Sequence, residues 1–120
     1  MTANTPKSRK AKSRDLQNAV ATDLRALFIL PEEDIRPAIM GMSGMDILLS
    51  SRGRAQFPFA IECKAQEALN IWDALKQCEA NAAKEKLVPL LVFKRARTKT
   101  YAVLEWPDFL NLIRRRASKV

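Results

Sequence analysis

Residues 87–93, Leu87-Val88-Pro89-Leu90-Leu91-Val92-Phe93, are apolar without interruption. A strand sends alternate side chains to opposite faces. A strand with no polar face has to be covered on both sides, as in a mixed sheet with helices packed against it. This run therefore asks for an α/β arrangement. The chain is 120 residues long, which suits one compact domain with a modest core. No apolar stretch approaches the ~18–20 residues that span a bilayer, and the polar, basic N-terminus lacks the apolar core of a signal peptide. A soluble intracellular protein is expected.

The remaining segments supply partners for that strand. Residues 13–28 read as an amphipathic helix with Ser13 as its cap and Leu16, Ala19, Val20, Leu24, Leu27 and Phe28 on one face. Gln17 and Asp23 lie off the centre of that face. Pro31-Glu32-Glu33-Asp34 reads as a solvated acidic loop. Residues 35–40 read as a short strand, with Pro37 pointing to an edge. Residues 66–86 form a second helix, capped by Asn70, with Leu69, Trp72, Leu75, Cys78 and Ala82 as its apolar stripe, widened by Ile71. Residues 100–105 alternate as a strand. Pro107 opens a last helix with Phe109, Leu110, Leu112 and Ile113 facing inward. The order is that of an α/β sandwich around a mixed sheet. It occupies residues 13–116, between a disordered basic arm at 1–12 and a basic tail at 117–120.

One pair of segments carries unusual charge. Gly44–Ser50 and Phe57–Lys64 read as a β-hairpin joined by residues 51–56. Phe57, Phe59, Ile61 and Cys63 share a packing face, and Pro58, Ala60, Glu62 and Lys64 share the other. An acid and a lysine at the end of an apolar strand are costly to half-bury without a partner. Asp46 begins one strand and Glu62 nearly ends the other, so the hairpin sets both carboxylates at the same end of the sheet. Two carboxylates there suit a hard divalent cation such as Mg²⁺, which takes oxygen ligands and is completed by phosphate. The Cys63 carbonyl is placed as a further ligand. Lys64 projects to the same side and can stabilise developing charge. Gln77, beside the stripe of the second helix, can reach back toward Lys64. Singly, Asp46 also reads as a turn residue, and Glu62 with Lys64 as a surface ion pair. The three together are more specific.

Composition narrows the chemistry. The chain has no His, which removes the usual general base and the commonest transition-metal ligand. Cys63 and Cys78 form neither a disulfide framework nor a zinc spacing and read as buried thiols. Hydrolysis here has to use carboxylates, Lys and a hard cation. The net charge is +8, and 13 of the 21 basic residues fall in three clusters, at 7–14, 94–99 and 114–119. A polyanion is the matching partner, and nucleic acid is the commonest. Lys10, Lys12 and Arg14, Arg52 and Arg54 at the 51–56 connection, and Lys94, Arg95, Arg97 and Lys99 are the candidate phosphate contacts.

Asp46, fifteen intervening residues, then Glu62-Cys63-Lys64 resembles the PD-(D/E)xK nuclease motif. The order of elements is similar to the restriction-endonuclease-like fold over roughly residues 12–113, and size and charge are most similar to Holliday-junction resolvases of the archaeal and phage type. The resemblance implies that Asp46 and Glu62 ligate metal, that Lys64 is catalytic, and that Gln77 is a supporting polar residue. Family members often carry a Glu on the first helix as a further metal-site group. Gln17, or less well Asp15, stands at that position here. Ser43 occupies the place of a small hydroxyl residue in the resolvases. The implied function is Mg²⁺-dependent cleavage of branched DNA by a homodimer, with Mn²⁺ as a substitute cation. The implied location is the cytoplasm, that of the host cell for a phage protein. A flap or nicking nuclease, and a weakly catalytic nucleic-acid-binding module on the same fold, are the alternatives.

Overall fold

A computed structural model describes the backbone of residues 6–39 and 44–117, with side chains from Arg9 onward. The elements are α1 (Pro6–Phe28), β1 (Ile35–Pro37), β2 (Ile47–Leu49), α2 (Ser51–Gln56), β3 (Phe59–Ala65), α3 (Ile71–Glu85), β4 (Val88–Lys94), β5 (Tyr101–Val103) and α4 (Trp106–Ala117). β3 pairs parallel with β4, and β4 pairs antiparallel with β5. This is the mixed sheet that the 87–93 run predicts. β4 is its middle strand. Pro89 lies where β4 is paired with Ala60 of β3 but not yet with β5, whose ladder begins at Leu91. The missing N–H therefore breaks no central ladder.

Both faces of the sheet are covered. Ile61, Cys63 and Ala65 of β3 and Val92 of β4 join Leu16, Val20, Ala21 and Leu24 of α1. Leu91 packs with Ala74 and Cys78 of α3, and Ala60 with Ala82. The β3–α3–β4 crossover brings α3 down one face because parallel neighbours need a long connection. Asn70 caps α3 as expected, its Oδ1 accepting from the Asp73 N–H at 3.1 Å. Among the described residues no helix is long and apolar enough to cross a membrane.

Several expectations are corrected. Residues 6–12, read as a disordered arm, are helical, and Pro6 takes the first position of α1, where a missing N–H costs nothing. Lys, Arg and Ala extend an existing helix at little cost, which an apolar-face criterion misses. Residues 1–5 and 118–120 lie outside the described residues. The buried face of α1 is turned from the expected one. Ala19 and Leu27 are exposed, while Ala21 and Gln17 are buried. Trp72 of α3 is 78 % exposed, and no residue of α4 is buried.

The expected hairpin is not a hairpin. β2 pairs antiparallel with β1, in a separate two-stranded sheet. Residues 51–56 form α2, capped by Ser50, whose Oγ accepts from the Gly53 N–H at 3.0 Å. Asp34 is buried rather than solvated, and Ser50 donates its hydroxyl to Asp34 Oδ1 at 2.6 Å. A Cβ at position 53 would strike the Asp34 carbonyl oxygen, so only Gly lets the helix turn approach this closely.

Candidate active site

The C-terminal half of β3 carries the site. Its alternation sends Cys63 and Ala65 into the α1 core and leaves Glu62 and Lys64 on the face that α3 covers. Although β2 does not ladder with β3, the residue before it is stitched to that strand. The Asp46 N–H donates to Ile61 O at 2.9 Å, and Asp46 Oδ2 accepts from the Cys63 N–H at 2.7 Å. Both bonds use the edge of β3 opposite β4, and strand geometry turns the Cys63 carbonyl to that edge too. Gly44, at φ +108°, bends the chain into Asp46 in a conformation that L side chains rarely adopt.

Glu62 is 4 % exposed, yet it is not without partners. Asn81 of α3 donates from Nδ2 to Glu62 Oε1 at 3.3 Å and to the Gly44 carbonyl at 3.3 Å. Lys64 Nζ stands 3.6 Å from Glu62 Oε2. Burial, and then the nearby Asp46 charge, push the Glu62 carboxyl up to about 7, against the opposing pull of Lys64 and Asn81. Burial also raises Asp46, opposed chiefly by the Cys63 N–H and then by Lys64. The effect is one-sided: the Asp46 charge raises the proton affinity of Glu62, while a hydrogen bond from Glu62 lowers that of Asp46. Two desolvated carboxyls side by side lack the positive charge a divalent cation supplies.

Gln17 bears on the same question. It is 6 % exposed, and its buried Oε1 has no hydrogen-bond partner. A buried amide oxygen left unpaired is costly, and such an orphan asks for an explanation. An amide oxygen is a donor type that a hard cation accepts, as carboxylates are, but α1 packs on the Ile61, Cys63 and Ala65 face of β3, opposite the one that bears Glu62. Among the described residues no group of three or more His, Cys, Asp or Glu could hold a metal ion, so any such site rests on fewer acids. Cys78 donates from Sγ to Ala60 O at 3.7 Å, and its burial pushes its thiol to about 11. Burial raises the Cys63 thiol as well. Neither thiol is a nucleophile at neutral pH.

The other predicted residues are scattered unevenly. Gln77 is exposed on α3, one turn before Asn81, and the residue that reaches Glu62 is Asn81. The i, i+4 spacing of Gln77 and Asn81 puts them on one row of the helix, which is the signal that could have found Asn81. Arg54 pairs with Glu85 at 2.7 Å, and Arg52 lies 3.7 Å from Asp34. Both connect protein elements. Arg14, Arg97 and Lys99 are exposed, and Ser43 lies outside the described residues. The remaining basic candidates converge. Lys10 and Lys12 of α1 line a groove of about 590 Å³ with Ala65 and Gln66, directly after Lys64. Lys12 also lines a second groove, of about 330 Å³, with Lys94 and Arg95.

A mixed sheet between two helices, with Asp46, Glu62 and Lys64 gathered at one end of β3, is a PD-(D/E)xK nuclease scaffold of the restriction-endonuclease-like kind. Residues 8–119 match the family model described as "phage putative PDDEXK endonuclease", and the chain belongs to that family. Membership carries nuclease activity, hence a nucleic-acid substrate, and nucleases of this type typically use divalent metals. No curated protein and no solved structure matches the chain.

Proposed function

We propose that this protein is a Mg²⁺-dependent, structure-selective DNA endonuclease, of which a Holliday-junction resolvase is the best-matching kind. The observation that carries this reading is the convergence of buried Glu62, tethered Asp46 and Lys64 beside a groove lined by Lys10 and Lys12. Asp46, Glu62 and the Cys63 carbonyl would hold the cation. When bound, Mg²⁺ or Mn²⁺ supplies charge neutralisation at the scissile phosphate. The chain's own groups do the rest. The Cys63 N–H fixes Asp46, and Asn81 fixes Glu62. The Lys64 ammonium lies against Glu62, where it can stabilise charge gathering on the phosphoryl oxygens. Lys10, Lys12, Lys94 and Arg95 would hold flanking phosphates, which position a backbone without reading its sequence.

A homodimer fits paired cuts at a four-way junction, since closed twofold symmetry is the usual oligomer choice. α4 supports that reading. Trp106, Phe109, Leu110 and Ile113 form an exposed apolar stripe at helical spacing. Asp108 lies in its first turn, and Arg114, Arg115 and Arg116 lie in its last. Two copies of α4 packed antiparallel would bury the stripe and set acid against base at both ends.

The test is cleavage of labelled four-way junction, flap, nicked and linear duplex DNA with Mg²⁺. Wild type is expected to cut branched DNA. Asp46→Asn, Glu62→Gln and Lys64→Ala are each expected to lose activity by about 100-fold or more while still binding DNA. Tight binding by wild type with no cutting of any substrate would favour the binding-module alternative, in which Gln17 marks a weakened site. Full activity in the Asp46 and Glu62 variants would overturn the site.

A further inference from the structure

A third cavity lies beyond the catalytic lysine on the same face of the sheet. Lys64 of β3 is in register with Phe93 of β4, and Phe93 is in register with Tyr101 of β5. Register partners stand side by side on one face, so Lys64, Phe93 and Tyr101 form a row across three strands. Strands are spaced by about 4.8 Å, which puts Tyr101 about 10 Å from Lys64 along the row. The Tyr101 ring stacks on Phe93 with centroids 5.9 Å apart and planes at 29°. Phe93 packs into the α3 core, while Tyr101 stays 54 % exposed. One aromatic is thus anchored, and the other is held by it with a surface open to solvent.

Lys94, Arg95, Phe93 and Tyr101 all line a cavity of about 370 Å³. Its rim is fixed by local bonds. Gln66 N–H donates to Lys94 O at 3.2 Å, and Thr98 Oγ1 accepts from the Arg95 N–H at 3.1 Å. Glu67, the acid in the cavity wall, is committed to the Ala96 N–H, which it accepts at 2.7 Å. The cavity falls at the lower end of small-ligand sites, about 300–1,000 Å³, so it admits a group of nucleotide size. An aromatic platform beside two cations is the chemistry that holds a base by its face and the neighbouring phosphate by its charge.

We infer that this cavity is a subsite for an unpaired nucleotide one or two positions from the cleaved bond. The ligand class is single-stranded nucleic acid: a tail, flap or frayed branch-point strand. A base inside a duplex is already stacked on both faces and cannot lie on Tyr101 without leaving the stack. The subsite therefore selects substrates with an unpaired base near the cut. This inference rests on the nuclease reading above and deepens it by naming what structure the enzyme selects.

The test is fluorescence anisotropy in EDTA, so that nothing is cut. Wild type, Tyr101→Ala and Tyr101→Phe are titrated against labelled oligothymidylate, a blunt duplex and the same duplex with a short single-stranded tail. Tyr101→Ala is expected to bind oligothymidylate and the tailed duplex about 5- to 150-fold more weakly, as loss of one stacked base predicts. Its affinity for the blunt duplex should stay within about twofold, since phosphate contacts dominate there. Tyr101→Phe keeps the ring and should match wild type on all three, which separates loss of stacking from loss of folding. Equal weakening on all three DNAs, or no weakening on any, overturns the subsite while leaving the nuclease reading intact. Failure of wild type to bind any nucleic acid overturns both.

Discussion

Metal-free protein is expected to lose stability as the pH rises, the reverse of a salt-bridged carboxylate. Glu62 titrates at about 7 in the fold, against 4.5 for an unperturbed Glu. Between those values the folded chain keeps a proton that the unfolded chain has released, so stability falls as pH rises. Below about 4.5 both states are protonated and the penalty is absent. Above about 7 both are ionised and the penalty is complete. The gap of about 2.5 units corresponds to about 3 kcal/mol at 1.36 kcal/mol per unit. Asp46, also raised by burial, acts in the same direction. Glu62→Gln keeps the shape and removes the charge. Its stability relative to wild type should therefore rise by about 3 kcal/mol between pH 4 and pH 8. Urea unfolding in EDTA at several pH values measures this. Mg²⁺ added at pH 8 should restore wild type and leave Glu62→Gln nearly unmoved. A constant separation between the two unfolding curves across the whole pH range would refute the reasoning.

Lys12→Glu and Lys94→Glu should each weaken DNA binding regardless of sequence and flatten the log–log salt dependence by about one unit, measured by anisotropy at several salt concentrations. Leu91→Ala, at a fully buried position of β4, should cost about 2–5 kcal/mol in chemical denaturation. Ile113→Asp on the exposed stripe of α4 should convert a dimer to a monomer in sedimentation, with the melting temperature of the domain little changed. A wild-type monomer at micromolar concentration would remove the role proposed for α4.

Much of this protein is readable without its structure, and for a local reason. The 87–93 run had to be a doubly covered strand because every side chain in it is apolar. Asn70 had to end a loop and open a helix, since its short side chain satisfies a free N–H there. Glu62 and Lys64 share a face because strand alternation has a period of two, whatever surrounds the strand. What the chain could not show locally is which neighbour each face meets. β2 takes β1 as its partner because Ser50 and Gly53 close a helical turn against Asp34 in place of a hairpin. Asp46 still reaches β3, but by two single bonds rather than a ladder. The buried side of α1 includes Gln17 and excludes Leu27 because the sheet beneath selects a face that periodicity leaves loose by tens of degrees. Asn81 rather than Gln77 meets Glu62 because one turn of α3 is 5.4 Å, and only the docked helix sets which turn stands over the carboxylate. The exposure of α4 was likewise hidden, since an amphipathic pattern states that a face wants cover and says nothing of whether its own fold provides it.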